Sequence, residues 1–397
     1  MILKKLDYLA DDFTMHHGSI ATNGMLFSRA EEADASECFD LSGFFAIPGL
    51  IDIHFHGAVN ADVRDGCAAS LEKIAEFEAF SGVTAICPAT VTEDYEALVK
   101  MMESVGEYCD RHAGKTGIQN CGHGEKDAVA RDKCAEFLGV HLEGPFFNPL
   151  MKGAQPGELM RPCDPQLFHE LQEISGNRIR YVDVAPETEG ALPFIRSVRD
   201  TVIVSLAHSA ADYDTAMEAF QAGASHVTHL YNAMKECCHR APGIPGAAAD
   251  VENCSVELIA DGIHNHPSIV RNAYRIFGED RVILVSDSMR ATGLSDGIYD
   301  FGRLPVYVKN SRATLSNGTL AGSAYTLMDC VRTAAKEMQI PLSSAVKSAS
   351  KNPAKELGVY DSLGSITPGK HANLVILDSE WNVKGVLLKG KFIRKEF

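Results

Sequence analysis

The sequence has no stretch of about 18 consecutive apolar residues, so nothing in it reads as a membrane span. It has no Cys-x-x-Cys pair. Its 11 cysteines are scattered from Cys38 to Cys330, with Cys237 and Cys238 adjacent. That is a pattern of reduced, mostly buried thiols and not of a disulfide framework. It has no run of Lys and Arg, and 37 basic against 53 acidic side chains give a net charge of −16. Nucleic acid is therefore not an expected partner. The opening Met1-Ile2-Leu3-Lys4-Lys5 starts no apolar signal segment, because Asp7, Asp11 and Asp12 follow at once, and a cytoplasmic location is the expectation. Internal repeats and low-complexity tracts are missing as well. What is present is an ordinary globular composition, 45% hydrophobic over 397 residues, long enough to bury a large core without cross-links.

Eight short runs rich in Val, Ile and Leu read as strands covered on both faces: residues 50–56, 83–89, 137–143, 179–185, 202–208, 225–230, 256–261 and 282–286. Helical patterns lie between them. Residues 71–77 space their apolar side chains as a helix does, and Asp212 caps a segment running through 217–222 to a stop at Gly223. Residues 268–277 and 324–338 read the same way. Strand then helix, eight times over, predicts a (β/α)8 TIM-like barrel across residues 49–358. Residues 1–48 and 359–397 are short strand-like pieces, which predicts a small β-sandwich domain made from both chain ends. Two interruptions remain. Residues 110–133, with His112, Cys121 and His123, read as a surface insertion. Residues 289–322, with the turn signal Asn317-Gly318, follow the eighth strand, where a lid is expected.

The chemistry shows in what ends the strands. Strand one ends in His54-Phe55-His56, strand three in His141-Leu142-Glu143, strand five in His208 and strand six in His229, and Asp287 follows strand eight. One such histidine alone is most often a hydrogen-bonded structural residue, and one such aspartate a turn or cap. Together they converge on the barrel mouth where active sites of this fold lie. Alternation puts His54 and His56 on one face of their strand. Imidazole with carboxylate suits one or two divalent cations of the Zn²⁺ or Fe²⁺ kind. Such ions activate water and polarise a carbonyl, and Asp287 is placed to move a proton, so the reading is hydrolysis of an amide, ester or ring C–N bond.

These residues resemble the amidohydrolase superfamily, whose opening signature is similar to Pro48-Gly49-Leu50-Ile51-Asp52-Ile53-His54-Phe55-His56-Gly57. More narrowly, His141-Leu142-Glu143-Gly144-Pro145-Phe146, Thr228-His229-Leu230-Tyr231-Asn232-Ala233-Met234, Ala260-Asp261-Gly262-Ile263-His264, Val285-Ser286-Asp287 and Leu320-Ala321-Gly322-Ser323 are similar, in order, to the N-acetylglucosamine-6-phosphate deacetylases. The resemblance implies hydrolysis of N-acetyl-D-glucosamine 6-phosphate to D-glucosamine 6-phosphate and acetate. It implies Glu143, His208 and His229 as the main metal ligands and His54 and His56 as ligands of a second ion. Asp287 would be the acid/base and a further metal ligand, and His264 would contact the sugar and the acetyl carbonyl. Asn232 and Ala233 would hold phosphate, and Arg240 would reach across from a neighbouring subunit, which implies a homodimer. The sequence departs from the family pattern at Gln155, where Lys-Gly-Ala is commonly followed by His; Gln155 can still donate to a substrate oxygen. Ala241 stands where an acidic residue is common. The alternatives are the galacto epimer, another N-acyl or cyclic amide, and a noncatalytic metal-binding barrel.

Overall fold

The eight apolar runs become the parallel strands of a barrel: Leu50–Asp52, Val83–Ile86, Val140–Leu142, Ile179–Val184, Ile203–Leu206, His226–Val227, Ser255–Ile259 and Val282–Val285. This computed structural model describes residues 1–32, 37–113 and 133–397. Strands three to eight pair in sequence order as one parallel sheet, and strand two pairs with strand one on one side and with the short Glu136–Phe137 on the other. A bridge between Ala89 and His141 joins the two groups. On the other side Asp287 N donates to His54 O at 3.0 Å and His56 N to Ser288 O at 2.7 Å, linking strand eight to strand one.

The strands end earlier than the apolar runs predict, for a local reason. His208, His229 and Asp287 have φ of 44°, 30° and 48°, a left-handed conformation that non-glycine residues rarely adopt and that takes them out of the ladder. Helices follow each strand. The one at Tyr213–Ala222 starts and stops as read from sequence: the Asp212 carboxylate accepts from Thr215 N, and Gly223 caps the end. Between strand eight and its helix, Leu327–Lys336, three antiparallel strands, Gly297–Phe301, Leu304–Lys309 and Arg312–Thr314, form the predicted extra element. Arg303 at its turn pairs with Glu93 and Asp94, and Asp300 with Arg64 and Arg290, which ties it to the loops after strands one and two. His112 closes the helix Tyr95–Ala113, its Nδ1 2.8 Å from Tyr108 O; Cys121 and His123 lie outside the described residues.

Both chain ends meet in one eight-stranded mixed sheet, in which Phe45–Pro48 pairs with Ile2–Leu9 on one side and Leu374–Leu377 on the other. Strand period decides how it packs. Leu374, Ile376 and Leu387 join Leu3, Leu6, Ile20 and Phe27 in a cluster on one face. Their neighbours Val375, Leu377, Val386 and Leu388 join the barrel core on the other. The sheet is thus buried on both faces. Among the described residues no helix is long and apolar enough to cross a membrane.

Candidate active site

The barrel interior beneath the mouth is polar. His54 on strand one hydrogen-bonds Glu257 on strand seven, and His141 on strand three hydrogen-bonds Asp183 on strand four, which also accepts from Thr228 on strand six. The His54–Glu257 and Thr228–Asp183 bonds join strands that are not neighbours and so cross the inside of the barrel. All five groups are fully buried, and burial on this scale is tolerated because each has a partner. His141 spends both ring nitrogens this way, on Asp183 and on Ile53 O. It supports the site and does not face the mouth as a ligand.

Above this layer six side chains meet. His208 Nε2 and His229 Nε2 lie 3.1 and 3.3 Å from Glu143 Oε1 and 3.2 Å from each other. His208 Nδ1 sits 2.9 Å from the carbonyl of Met151, which can only accept, so Nδ1 donates there and Nε2 is the atom turned to the centre. His54 Nδ1 is likewise committed to Glu257 Oε2 at 2.8 Å. Its Nε2 is buried without a hydrogen-bond partner, 3.7 Å from Glu143 Oε1 and 3.9 Å from Asp287 Oδ1. His56 Nε2 lies 3.5 Å from Glu143 Oε2 and 3.2 Å from Asp287 Oδ1. Four imidazole nitrogens and three carboxylate oxygens brought this close need positive charge among them, as protons on the rings or as a bound cation. Two groups share Glu143: His208 with His229, and His54 with His56. The donor set fits a divalent ion of the zinc or iron kind.

The electrostatics agree. Burial pulls His54 down, but Glu257, Glu143 and Asp287 together raise it well above the usual imidazole range. Burial pushes Glu143 up, yet hydrogen bonds from His208 and His229 and the nearby His56 and His54 hold it well below the usual carboxylate range. For Asp287 burial is outweighed in the same way by the His56 hydrogen bond, and its carboxyl stays below its ordinary value. The cluster favours positive charge at its centre.

A cavity of about 290 Å³ opens over this centre, lined also by His264, Asn232, Ala233, Gln155, Phe301 and Leu320. His264 Nδ1 is held by Asp261 Oδ2 at 2.7 Å. Asn232 donates its side-chain amide to the carbonyls of His229 and Leu230, which stiffens the loop after strand six. Phe301 stands edge-on to His56, ring centroids 4.8 Å apart, so the extra hairpin walls the cavity. Gln155 lines the cavity, but its amide is engaged with Glu143 and Thr92. Arg240 alone among the expected residues lies elsewhere, exposed on the loop beyond Lys235.

Sequence reasoning gave no role to Glu257, Asp183 or Asp261. The first two were detectable: each interrupts an apolar strand covered on both faces, where a charge requires a partner. Asp261 was read as the last residue of its run, and only the folded chain shows that it holds the ring of His264.

A model of the amidohydrolase family matches residues 45–393. The chain belongs to that family. Among amidohydrolases it is 35% identical over 404 residues to the N-acetylglucosamine-6-phosphate deacetylase of Bacillus subtilis, covering 100% of this chain and 98% of the relative. It is also 35% identical over 345 residues to the N-acetylgalactosamine-6-phosphate deacetylase of Escherichia coli, covering 87% and 86%. The N-acetyl-D-glucosamine-6-phosphate deacetylase of Mycobacterium smegmatis superposes with a TM-score of 0.88 at 28% identity, over 100% of this chain and 99% of that one. It was solved as an aspartate-to-alanine variant in complex with N-acetyl-D-glucosamine 6-phosphate.

Proposed function

We propose that this amidohydrolase removes the acetyl group of N-acetyl-D-glucosamine 6-phosphate, giving D-glucosamine 6-phosphate and acetate. The observation that carries the reading is the convergence of His54, His56, Glu143, His208, His229 and Asp287 at one barrel mouth, in a chain similar from end to end to such deacetylases. Glu143, His208 and His229 would hold one divalent cation, zinc or iron, and His54 and His56 with Glu143 a second. A cation there lowers the pKa of water and polarises the amide carbonyl. Asp287, anionic and facing both groups, takes a proton from water as its oxygen adds to the acetyl carbon. It returns that proton to the sugar nitrogen as the C–N bond breaks. Asp261 fixes the ring of His264 so that Nε2 is the atom left for a substrate oxygen. Phe301 and its hairpin keep bulk water from the reacting carbon.

At the phosphate end, the loop of Asn232 and Ala233 forms one wall. Arg240 is exposed, and in the proposed homodimer it would serve the neighbouring site; a guanidinium grips a phosphate dianion well. The proposed division of the chain is a barrel at 49–358 with a β domain from 1–48 and 359–397, in a cytoplasmic protein. The Escherichia coli relative, equally similar, makes the galacto epimer the second substrate to test. Acetate release is measured from N-acetylglucosamine 6-phosphate, its galacto epimer and unphosphorylated N-acetylglucosamine. The proposal expects the first to be fastest and the last nearly inert. Equal rates with and without phosphate would refute the phosphate grip, and a faster galacto epimer would reassign the substrate.

A further inference from the structure

Gln155 is 2% exposed and uses both ends of its amide inside the protein. Its Nε2 donates to Glu143 Oε2 at 2.7 Å, and its Oε1 accepts from Thr92 N at 2.8 Å. The orientation is fixed by those partners: flipped, the amide would set oxygen against a carboxylate oxygen and N–H against N–H. The clamp is built into the packing of two loops. Gly144, next to Glu143, has φ of 88°, and a Cβ there would come within 2.2 Å of Thr92 Oγ1. Only glycine lets the backbone of Thr92 come this close.

The effect falls on one oxygen of Glu143. Oε1 faces His208 and His229 at 3.1 and 3.3 Å and His54 at 3.7 Å, while Oε2, the one Gln155 holds, faces His56 at 3.5 Å. A free carboxylate could rotate about its last bond and give both oxygens to the His208–His229 side. We infer that Gln155 is a positioning residue that locks Glu143 across the two histidine pairs and so makes the His54–His56 half of the centre able to hold its own ion. The inference rests on the reading of Glu143 as a shared metal ligand. It assigns the main work of Gln155 to the carboxylate and not to the substrate. Gln155 also forms part of the cavity wall.

The test is metal binding to the full-length protein, stripped with chelator and titrated with Co²⁺ by calorimetry and visible absorption. The wild type should take up two ions per chain. Gln155→Met, which keeps length and loses both hydrogen bonds, should weaken the second ion by about 10–100-fold, the usual cost of removing a group that orients a ligand, and leave the first near its wild-type affinity. Gln155→His offers one donor and one acceptor and should restore the second ion. If Gln155→Met binds both ions as the wild type does and only raises KM, Gln155 is a substrate contact and the inference is overturned. A wild type that binds a single ion, lost in His208→Ala and kept in His54→Ala, overturns the division and leaves the deacetylase reading standing. A wild type that binds none sinks both.

Discussion

Glu257 supports the centre from below, and neutralising it gives the sharpest energetic prediction. Its Oε2 accepts from His54 Nδ1 at 2.8 Å and from His229 N at 3.0 Å, and its Oε1 lies 3.1 Å from His226 Nε2, all fully buried. Burial alone would push this carboxyl up, but His54 and His226 hold it well below its usual range, so it is anionic. In Glu257→Gln the amide oxygen can replace Oε2, and the amide N–H can face His226, whose Nδ1 is already paired with Glu356. The shape and the hydrogen bonds survive, and the charge behind His54 is lost. Losing such support costs about 10–100-fold in metal affinity; with the bonds intact the low end applies, about 1.4 kcal/mol. Glu257→Ala is different, since it leaves His54 Nδ1–H and His229 N–H without an acceptor in a dry interior. At about 1–3 kcal/mol each, the fold loses about 2–6 kcal/mol, a large part of an ordinary domain's stability. Chelator competition measures the first effect and thermal unfolding of stripped protein the second. Unchanged metal affinity in Glu257→Gln together with unchanged melting in Glu257→Ala would refute the argument.

Three further outcomes are expected. Asp287→Asn should lower the rate of acetate release by at least about 100-fold, the contribution of a positioned acid/base, while metal content stays at the wild-type level; near-normal turnover would remove Asp287 from the proton path. Arg240→Ala should raise KM for the phosphorylated sugar with little change in kcat, and a mutant as tightly bound by substrate as the wild type would argue against the shared phosphate site. Glu78, fully buried with both carboxylate oxygens lacking a hydrogen-bond partner, has its carboxyl raised well above the usual range by burial and by Asp52 and Asp329. The folded state keeps this proton after the unfolded chain releases it near pH 4.5, so stability falls as pH rises through the window between the two, by about 1.4 kcal/mol per pH unit. Glu78→Gln should therefore melt increasingly above the wild type from pH 5 upward, and parallel curves would show that Glu78 has a partner.

The barrel was legible because its strands are covered on both faces and read as unbroken apolar runs, and because Asp212 and Gly223 bracket a helix in plain chemical terms. The mouth was legible because histidines and acids close those runs. The partners beneath were harder to see. Glu257 and Asp183 meet histidines more than 40 residues away or across the barrel, and no local pattern records such a pairing. The left-handed turns at His208, His229 and Asp287 left no trace in residue type either, since tertiary contacts impose them. Gln155 read as a cavity residue, and its hold on Glu143 depends on a backbone N–H from another loop. Strand alternation at 374–377 also says that both faces are buried, but not that one of them lies on the barrel.

On the proposed function, the shared carboxylate and the two histidine pairs hold the ions on which hydrolysis depends. The direct measurement is acetate release from N-acetylglucosamine 6-phosphate by one protein sample before chelation, after it, and after refilling separately with Zn²⁺ and Fe²⁺. Turnover should be lost on chelation, return on refilling with at least one of the two ions, and not return in a Glu143→Ala protein treated in the same way. Full turnover by the chelated, metal-free protein would contradict the proposed function.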